Sequence, residues 1–175
     1  MEIPTKLNIG CGKDSKPGYY NVDLIKFDGV DKVLDLDKFP YDLPSDHFDE
    51  IYCKSVLQCV KNPTEVVSEF HRLLKKGGRL YFDVPHFSSK NCWKDITHRR
   101  GYAFHSFDIF MDNNFYVSGA KVSFSRMKRK LFFGKKYAIW NYLIEPLANK
   151  YPNLYEDTCL RALFPGLVLK IEFIK

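Results

Sequence analysis

The sequence predicts an α/β protein whose sheet is mostly parallel, and three observations support this prediction. Four short apolar runs precede the middle of the chain, one well-marked amphipathic helix follows them, and another apolar run begins directly after that helix. Strands that alternate with a crossover helix are typical of parallel sheets. The connections between the first three runs are too short for a full helix, so we expect short first crossovers.

The candidate strands are short apolar runs that lead into glycine or an acid. "KLNI" leads into a glycine, "YYNVDL" and "DKVLDL" each carry an aspartate near the end, and "FDEIYCKS" and "RLYFDV" flank the helix. Further on, "FYVSGAKVSFSRMKRKLFF" alternates in part, which indicates a long strand or a hairpin, and "LFPGLVLKIEFIK" predicts a final strand. The expected architecture is a Rossmann-like, mostly parallel sheet with an antiparallel C-terminal ending.

The central helix has signals at both of its ends. Asn62 is placed to cap it, Pro63 suits the first helical position, and Glu65 is placed for a capping box. The lysine and glycine pairs at 75–78 predict its end. A second helix is predicted in "YAIWNYLIEPLANKY", with Pro146 bending or ending it. The apolar face of the central helix comprises Val66, Val67, Phe70, Leu73 and Leu74.

Composition limits the class of protein. The 175 residues are 45% hydrophobic and 27% charged, which predicts one globular domain over residues 1–175. No window predicts a transmembrane helix, and the polar start does not resemble a signal peptide, so the expected location is cytoplasmic. The five cysteines are odd in number and form no CxxC pair, which favours buried reduced thiols over disulfides or a zinc site.

Polar residues follow five of the predicted strands. In a parallel sheet the carboxyl ends of the strands meet at one edge, where ligands bind around the switch point. These ends therefore predict a single crevice. They are Gly10–Gly12, Asp23, Asp35, Cys53–Ser55 and Pro85–His86.

The first of these ends indicates what kind of ligand fits. Glycines after a buried strand let the backbone turn sharply and approach a ligand closely. A dinucleotide pyrophosphate also needs a helix N-terminus, but the span from Gly12 to Tyr20 has room for only about one helical turn. Asp23 is placed to accept hydrogen bonds from the ribose hydroxyls of a nucleoside. The pattern favours a nucleoside ligand that lacks a pyrophosphate.

Four motifs, in this order, resemble those of class I S-adenosylmethionine-dependent methyltransferases of the methyltransferase type 11-like family. They are "LNIGCG", "NVDL", "DLDKFPYDLPSDHFDEIYCKSVLQCV" and "EFHRLLKKGGRLYFDVP", and the resemblance runs from about Lys6 to Phe87. The resemblance implies methyl transfer from S-adenosylmethionine to an unidentified acceptor by in-line displacement. It also implies a cofactor-binding part at 1–87 and a substrate-side part at 88–175.

The resemblance also implies a set of cofactor-binding residues. The glycine turn would lie against the methionine part, Asp23 would hold the ribose, and Asp35 would lie near the exocyclic amine of the adenine. Cys53 and Ser55 would line the floor near the sulfonium. The full implied set is Asn8, Gly10, Cys11, Gly12, Asp23, Leu24, Asp35, Leu36, Cys53 and Ser55.

Two departures from the family pattern suggest an alternative. Lys13-Asp14 replaces the usual third glycine, and Gln58-Cys59 stands where many relatives carry an acid and a histidine. A non-catalytic module that binds S-adenosylmethionine or S-adenosylhomocysteine is therefore the second hypothesis.

Three histidines are candidates for acceptor chemistry. His98, His105 and His86 could each act as a general base when the methyl acceptor must lose a proton. His98 and His105 would share a face of a helix, although the intervening glycine favours a loop. No ligand spacing predicts a metal site. Six aromatics could wall a substrate pocket or form core, and core is favoured. They are Tyr102, Phe104, Phe107, Phe110, Phe115 and Tyr116.

The net charge of +6 is concentrated late in the chain. The basic segment Arg126–Lys136 contains aromatic residues and could attract an anionic partner such as nucleic acid, a phosphorylated substrate or a lipid surface. A nucleic-acid-binding protein is therefore a third hypothesis. The sequence does not predict an oligomeric state.

Overall fold

A computed structural model describes residues 3–111, 122–134 and 139–175, and within these ranges the chain forms seven strands and four α-helices. The strands are β1 (Lys6–Ile9), β2 (Tyr20–Asp23), β3 (Lys32–Val33), β4 (Phe48–Lys54), β5 (Leu74–Pro85), β6 (Arg126–Phe132) and β7 (Val168–Ile174). The helices are α1 (Pro63–Leu73), α2 (Ile139–Lys150), α3 (Pro152–Asp157) and α4 (Leu160–Leu163).

All seven strands belong to one sheet with the order β3-β2-β1-β4-β5-β7-β6. The strands from β3 to β5 are parallel, whereas β7 runs antiparallel to both β5 and β6. The predicted fold class is confirmed. Because the chain moves outward from β1 to β3 and then returns to the other side of β1, the switch point lies between β1 and β4. Ligands of such sheets bind at this point, beyond the carboxyl ends of the strands.

Helix α1 begins as predicted but ends earlier. The Asn62 side chain accepts a hydrogen bond from the Glu65 backbone N–H at 3.4 Å. Leu74 already has an extended backbone (φ −72°, ψ 141°) and pairs with Phe48 of β4. The predicted end at 75–78 is wrong, because these residues belong to β5. The side chains near the helix end are instead His71 and Arg72.

Replacing Asn62 by alanine is expected to lower the free energy of unfolding by about 1 kcal/mol, because the Glu65 N–H loses its acceptor. Asn62→Asp keeps an acceptor oxygen and is the matched control. Urea unfolding measures both variants, and an equal loss in the two would contradict a capping role.

Two other predicted elements differ from the structure. The "DKVLDL" run forms only the two-residue strand β3, since the Asp35 carboxylate then accepts the Asp37 N–H at 3.0 Å and turns the chain. The run at 115–133, predicted as a long strand or a hairpin, contains the single described strand β6, and its residues 115–121 lie outside the described residues, as do 135 and 136 of the basic segment. Helix α2 forms in the predicted run and continues past Pro146, so this proline does not end it.

The core lies on one face of the sheet. Apolar side chains of α1 belong to the same buried cluster as alternate residues of β4, β5 and β7, such as Ile51, Leu80 and Phe173, all fully buried. The aromatics predicted to form either core or pocket wall are core where the structure describes them. They are Tyr102, Phe104, Phe107 and Phe110; Phe115 and Tyr116 lie outside the described residues.

The other face of the sheet is covered differently along its width. At β1 and β2 the loop at 13–19 covers it, held by Asn8, whose amide donates to the Asp14 carbonyl at 3.2 Å and to Asn21 Oδ1 at 2.9 Å. None of the described helices packs on this face of β4, β5 and β7. We call this part, whose central row contains Tyr52, Tyr81 and Glu172, the open face. Among the described helices, none is long and apolar enough to cross a membrane.

Candidate active site

The glycine turn after β1 is fixed by backbone hydrogen bonds. The N–H groups of Gly10 and Cys11 both donate to the Val22 carbonyl, at 2.9 and 3.2 Å. Gly10 has φ +64°, and a Cβ added there would lie 2.2 Å from Val56 Cγ2. Gly12 has φ +54°, but its Cβ direction faces open space. The turn therefore needs glycine at position 10 for both conformation and space, and at position 12 for conformation.

Asp23, at the end of β2, is held in place by the same turn. Its Oδ2 accepts the Gly12 N–H at 2.8 Å, and its Oδ1 accepts the Ile25 N–H at 3.0 Å. A carboxylate has about four acceptor positions, so each oxygen keeps one for a ligand. The side chain is thus oriented in advance and remains able to accept two hydroxyl groups.

A cavity of about 330 Å³ lies at the switch point, beyond the carboxyl ends of β1, β2 and β4. We call it the acidic cavity because Asp23, Asp35 and Asp37 border it. Its volume is in the range of about 300–1,000 Å³ typical of small-molecule sites. The candidate residues that border it are Gly10, Asp23, Leu24, Asp35, Leu36 and Ser55.

The other candidate cofactor residues do not border this cavity. Asn8 and Cys11 are buried, and Asn8 is engaged with the loop at 13–19. Cys53 is fully buried in the core, which raises the pKa of its thiol. Gly12 lies on the turn and positions Asp23. Residues that the sequence did not suggest, among them Asp37 and Val56, border the cavity instead.

Ser55 follows β4 in a left-handed conformation, with φ +55°. Its N–H and its hydroxyl both donate to Asp83 Oδ1, at 2.8 and 2.9 Å. Such backbone strain in a residue other than glycine is often found at functional sites. Ser55 borders the acidic cavity on one side and a second cavity on the other.

The second cavity, of about 690 Å³, lies between the end of β5 and the loop that follows it. We call it the loop cavity. Gln58 lies in its wall, only 2% exposed, and its Nε2 donates to the Ser55 carbonyl at 2.7 Å. Its Oε1 has no hydrogen-bond partner among the described residues. The cavity also has the polar lining residues Asn91, Lys94, Asp95 and His98.

The three candidate histidines have different surroundings. His98 lies in a loop at the loop cavity, and its Nδ1 is 2.9 Å from the Asn91 carbonyl. Because a carbonyl only accepts, Nδ1 carries the proton and Nε2 is left as the basic nitrogen. His105 is exposed and contacts Asp108 and Arg129. Of the three candidate histidines, His98 borders one of the two cavities, and His86 and His105 border neither.

His86 is fully buried below the end of β5. Its Nε2 is 2.9 Å from Glu156 Oε1, and its Nδ1 is 2.8 Å from the Ser88 hydroxyl. Glu156 also accepts the Phe104 N–H at 2.7 Å. Burial raises the pKa of Glu156, but the hydrogen bonds from His86 and Phe104 outweigh it and leave that pKa below its usual value. This contact joins α3 to the sheet.

Replacing Glu156 by glutamine is expected to lower the free energy of unfolding at pH 7 by about 1–2 kcal/mol, since the hydrogen bonds from His86 and Phe104 then reach a neutral oxygen instead of a charged one. A lowered folded-state pKa stabilises the fold above the ordinary value of 4.5 and loses this effect as the pH falls through the folded-state pKa. The difference between wild type and Glu156→Gln should therefore shrink below about pH 4.5. Urea midpoints at pH 7 and pH 4 measure it, and a difference that grows in acid would contradict this assignment.

The fold and the site define a Rossmann-like α/β protein with a glycine turn and acidic residues at the switch point. Residues 7–82 match the family model of a methyltransferase domain. The resemblance to class I S-adenosylmethionine-dependent methyltransferases is thereby confirmed, and S-adenosylmethionine is the methyl donor of this class. The acceptor is not identified by these matches. The sequence has no significant match among curated proteins.

Solved structures with the same fold include S-adenosylmethionine-dependent methyltransferases. One from Archaeoglobus fulgidus has a TM-score of 0.66 and 16% identity, over 99% of this chain and 86% of that chain. One from Mesorhizobium loti has a TM-score of 0.57 and 16% identity, and the match covers 100% of this chain and 93% of that chain. Haemonchus contortus phosphoethanolamine N-methyltransferase 2, in complex with S-adenosylmethionine, has a TM-score of 0.61 and 15% identity, over 100% of this chain but 49% of that one.

Proposed function

We propose that S-adenosylmethionine binds in the acidic cavity and that its methyl group is transferred to an acceptor in the loop cavity. Asp23 accepts hydrogen bonds from the two ribose hydroxyls, and Asp35 accepts one from the exocyclic amine of the adenine. The adenine ring lies between Leu24 and Leu36. The glycine turn leaves space for the methionine part. The observation that carries this proposal is the position of Ser55, which borders both cavities and so marks where the sulfonium and the acceptor would meet.

The transfer itself would be a direct displacement. A lone pair of the acceptor attacks the methyl carbon, the carbon–sulfur bond breaks, and its electrons remain on sulfur to give S-adenosylhomocysteine. The protein contributes mainly by holding the two reactants in line at a short distance. Where the acceptor must lose a proton, Nε2 of His98 takes it.

Gln58 supports the assignment of the loop cavity to the acceptor. Its buried Oε1 lacks a partner within the described ranges, and an unpaired buried acceptor costs about 1–3 kcal/mol. A methyl-accepting molecule with an amine or hydroxyl group would donate a hydrogen bond to this oxygen once the Gln58 side chain turns toward the cavity. Gln58, which departs from the family pattern, would then help to determine which methyl acceptor binds.

Isothermal titration with S-adenosylmethionine and S-adenosylhomocysteine tests the cofactor site. Wild type is expected to bind both, and Asp23→Asn is expected to weaken binding by about 10- to 100-fold, because hydrogen bonds to a charged acceptor are worth about 1.5–3 kcal/mol. Asp49→Asn, at the opposite end of the sheet, is the matched control for charge. Absence of binding by wild type, or equal affinities of the two variants, would contradict the proposal.

A further inference from the structure

The open face is unusual for a sheet of this kind. Sheets made mostly of parallel strands are normally covered on both faces. Here the outward side chains of β4, β5, β7 and β6 line a groove of about 640 Å³ that is separate from both cavities. Charged residues and tyrosines predominate in the lining of this groove, although Phe82, Phe132 and Ile171 also border it.

Aromatic rings lie across this groove on neighbouring strands. Tyr52 of β4 and Tyr81 of β5 are register partners, and Phe132 lies on the edge strand β6. Neighbouring strands are about 4.8 Å apart, so the rings are spread over roughly 14 Å of the sheet. Lysine ammonium groups lie over two of these rings: Lys16 over Tyr52, and Lys170 over Phe132 at 4.6 Å.

Positive charge exceeds negative charge on the open face. The acidic side chains are Glu50, Asp83 and Glu172, and each has a partner within the protein: Tyr19, Ser55 and Arg79, respectively. Four lysine side chains line the groove against these three acids: Lys16, Lys128, Lys130 and Lys170. Lys128 pairs with Glu172 at 3.8 Å and Lys130 with Glu145 of α2 at 3.0 Å.

Because side chains alternate between the two faces of a strand, only part of the basic segment Arg126–Lys136 lies on the open face. Lys128 and Lys130 point to the open face, whereas Arg129 points to the other side, where it pairs with Asp108 and donates to the Phe104 carbonyl at 3.2 Å. The segment alone is therefore not the basic surface. The surface is formed by four strands and the loop at 13–19, which the sequence does not show as one cluster.

We propose that the open face binds single-stranded nucleic acid. The half-buried aromatic rings of Tyr52, Tyr81 and Phe132 would stack with unpaired bases, and the surrounding lysines would contact the phosphates; both features are typical of single-strand binding surfaces. A concave groove with paired acids between its lysines does not offer the protruding apolar side chains with which proteins insert into a lipid surface. Asp83, which holds Ser55, lines the groove, so a strand bound there would pass close to Ser55; its closeness to the site of methyl transfer rests on the proposed function.

Fluorescence anisotropy with a fluorescein-labelled 12-nucleotide oligouridine and the matching oligothymidine tests this proposal. Both strands are expected to bind, and a duplex of the same length more weakly. If about four phosphates are contacted, the plot of log affinity against log salt should have a slope of about −3. Tyr81→Ala and Phe132→Ala are each expected to weaken binding by about tenfold. Lys128→Ala combined with Lys170→Ala should weaken binding and flatten the salt slope by about 1.

A matched control removes the same charge elsewhere. Lys75→Ala combined with Lys76→Ala, at the start of β5, should leave the affinity unchanged. The proposal is overturned by no binding to wild type in 50 mM salt, by an equal loss in this control, or by duplex binding as tight as single-strand binding. It is also overturned if light scattering shows a dimer that Tyr81→Ala dissociates, since a second copy would then occupy the face. Retained binding of S-adenosylhomocysteine by every variant separates this test from that of the cofactor site.

Discussion

Gly10→Ala is expected to destabilise the chain by about 2–5 kcal/mol and to abolish binding of S-adenosylhomocysteine. Two costs combine: a left-handed conformation costs about 1–2 kcal/mol for an L-residue, and overpacking costs about 1–3 kcal/mol. The second cost arises because the new methyl group would lie 2.2 Å from Val56 Cγ2. Urea unfolding and isothermal titration measure the two effects.

Gly12→Ala is the matched control for Gly10→Ala. It imposes the same kind of backbone strain, at φ +54°, but its new methyl group meets nothing within 4 Å. We expect a loss of only about 1–2 kcal/mol. Val56→Ala should also recover part of the loss in the Gly10→Ala background, because it removes the clashing methyl groups. Equal losses in the two glycine variants would show that packing against Val56 does not constrain the turn.

His98→Asn is expected to lower the turnover number by about 10²- to 10⁴-fold for an acceptor that must lose a proton, while the affinity for S-adenosylhomocysteine stays the same. The reason is that Nε2 is the free basic nitrogen at the loop cavity, given that Nδ1 donates to the Asn91 carbonyl. Formation of S-adenosylhomocysteine from a panel of hydroxyl, amine and thiol acceptors measures turnover.

His105→Asn provides the comparison for His98→Asn. His105 contacts Asp108 and Arg129 and borders neither cavity, so its replacement should leave turnover within about twofold of wild type. If both variants lose turnover equally, or if His98→Asn keeps full activity with a hydroxyl acceptor, the base is another group.

The sequence predicted those elements that depend on interactions between residues close together in the chain. The Asn62 cap and the apolar spacing of α1 predicted that helix, and the glycine turn with Asp23 predicted the edge of the sheet where the acidic cavity lies. The predicted end of α1 was wrong because pairing of Leu74 with Phe48, 26 positions away, outweighs the glycine signal at 77–78. Such long-range pairing is not visible in a local pattern.

The loop cavity and the open face were beyond prediction for the same reason. The loop cavity brings together Ser55, Asn91 and Leu167, which only the order of strands makes neighbours. The open face depends on which side of each strand remains uncovered once the first crossovers lack helices. The short span from Gly12 to Tyr20 indicates that a helix is missing from the first crossover. It does not indicate which side chains the uncovered strands present.

Hydrogen–deuterium exchange with and without S-adenosylhomocysteine tests the location of the cofactor site most directly. The proposal predicts slower exchange in three segments that meet at the acidic cavity: 9–14, 23–25 and 34–37. The segment at 160–167, within and after α4, should exchange equally with and without the ligand. Binding that leaves the three segments unprotected, or that protects only residues elsewhere, would contradict the assignment.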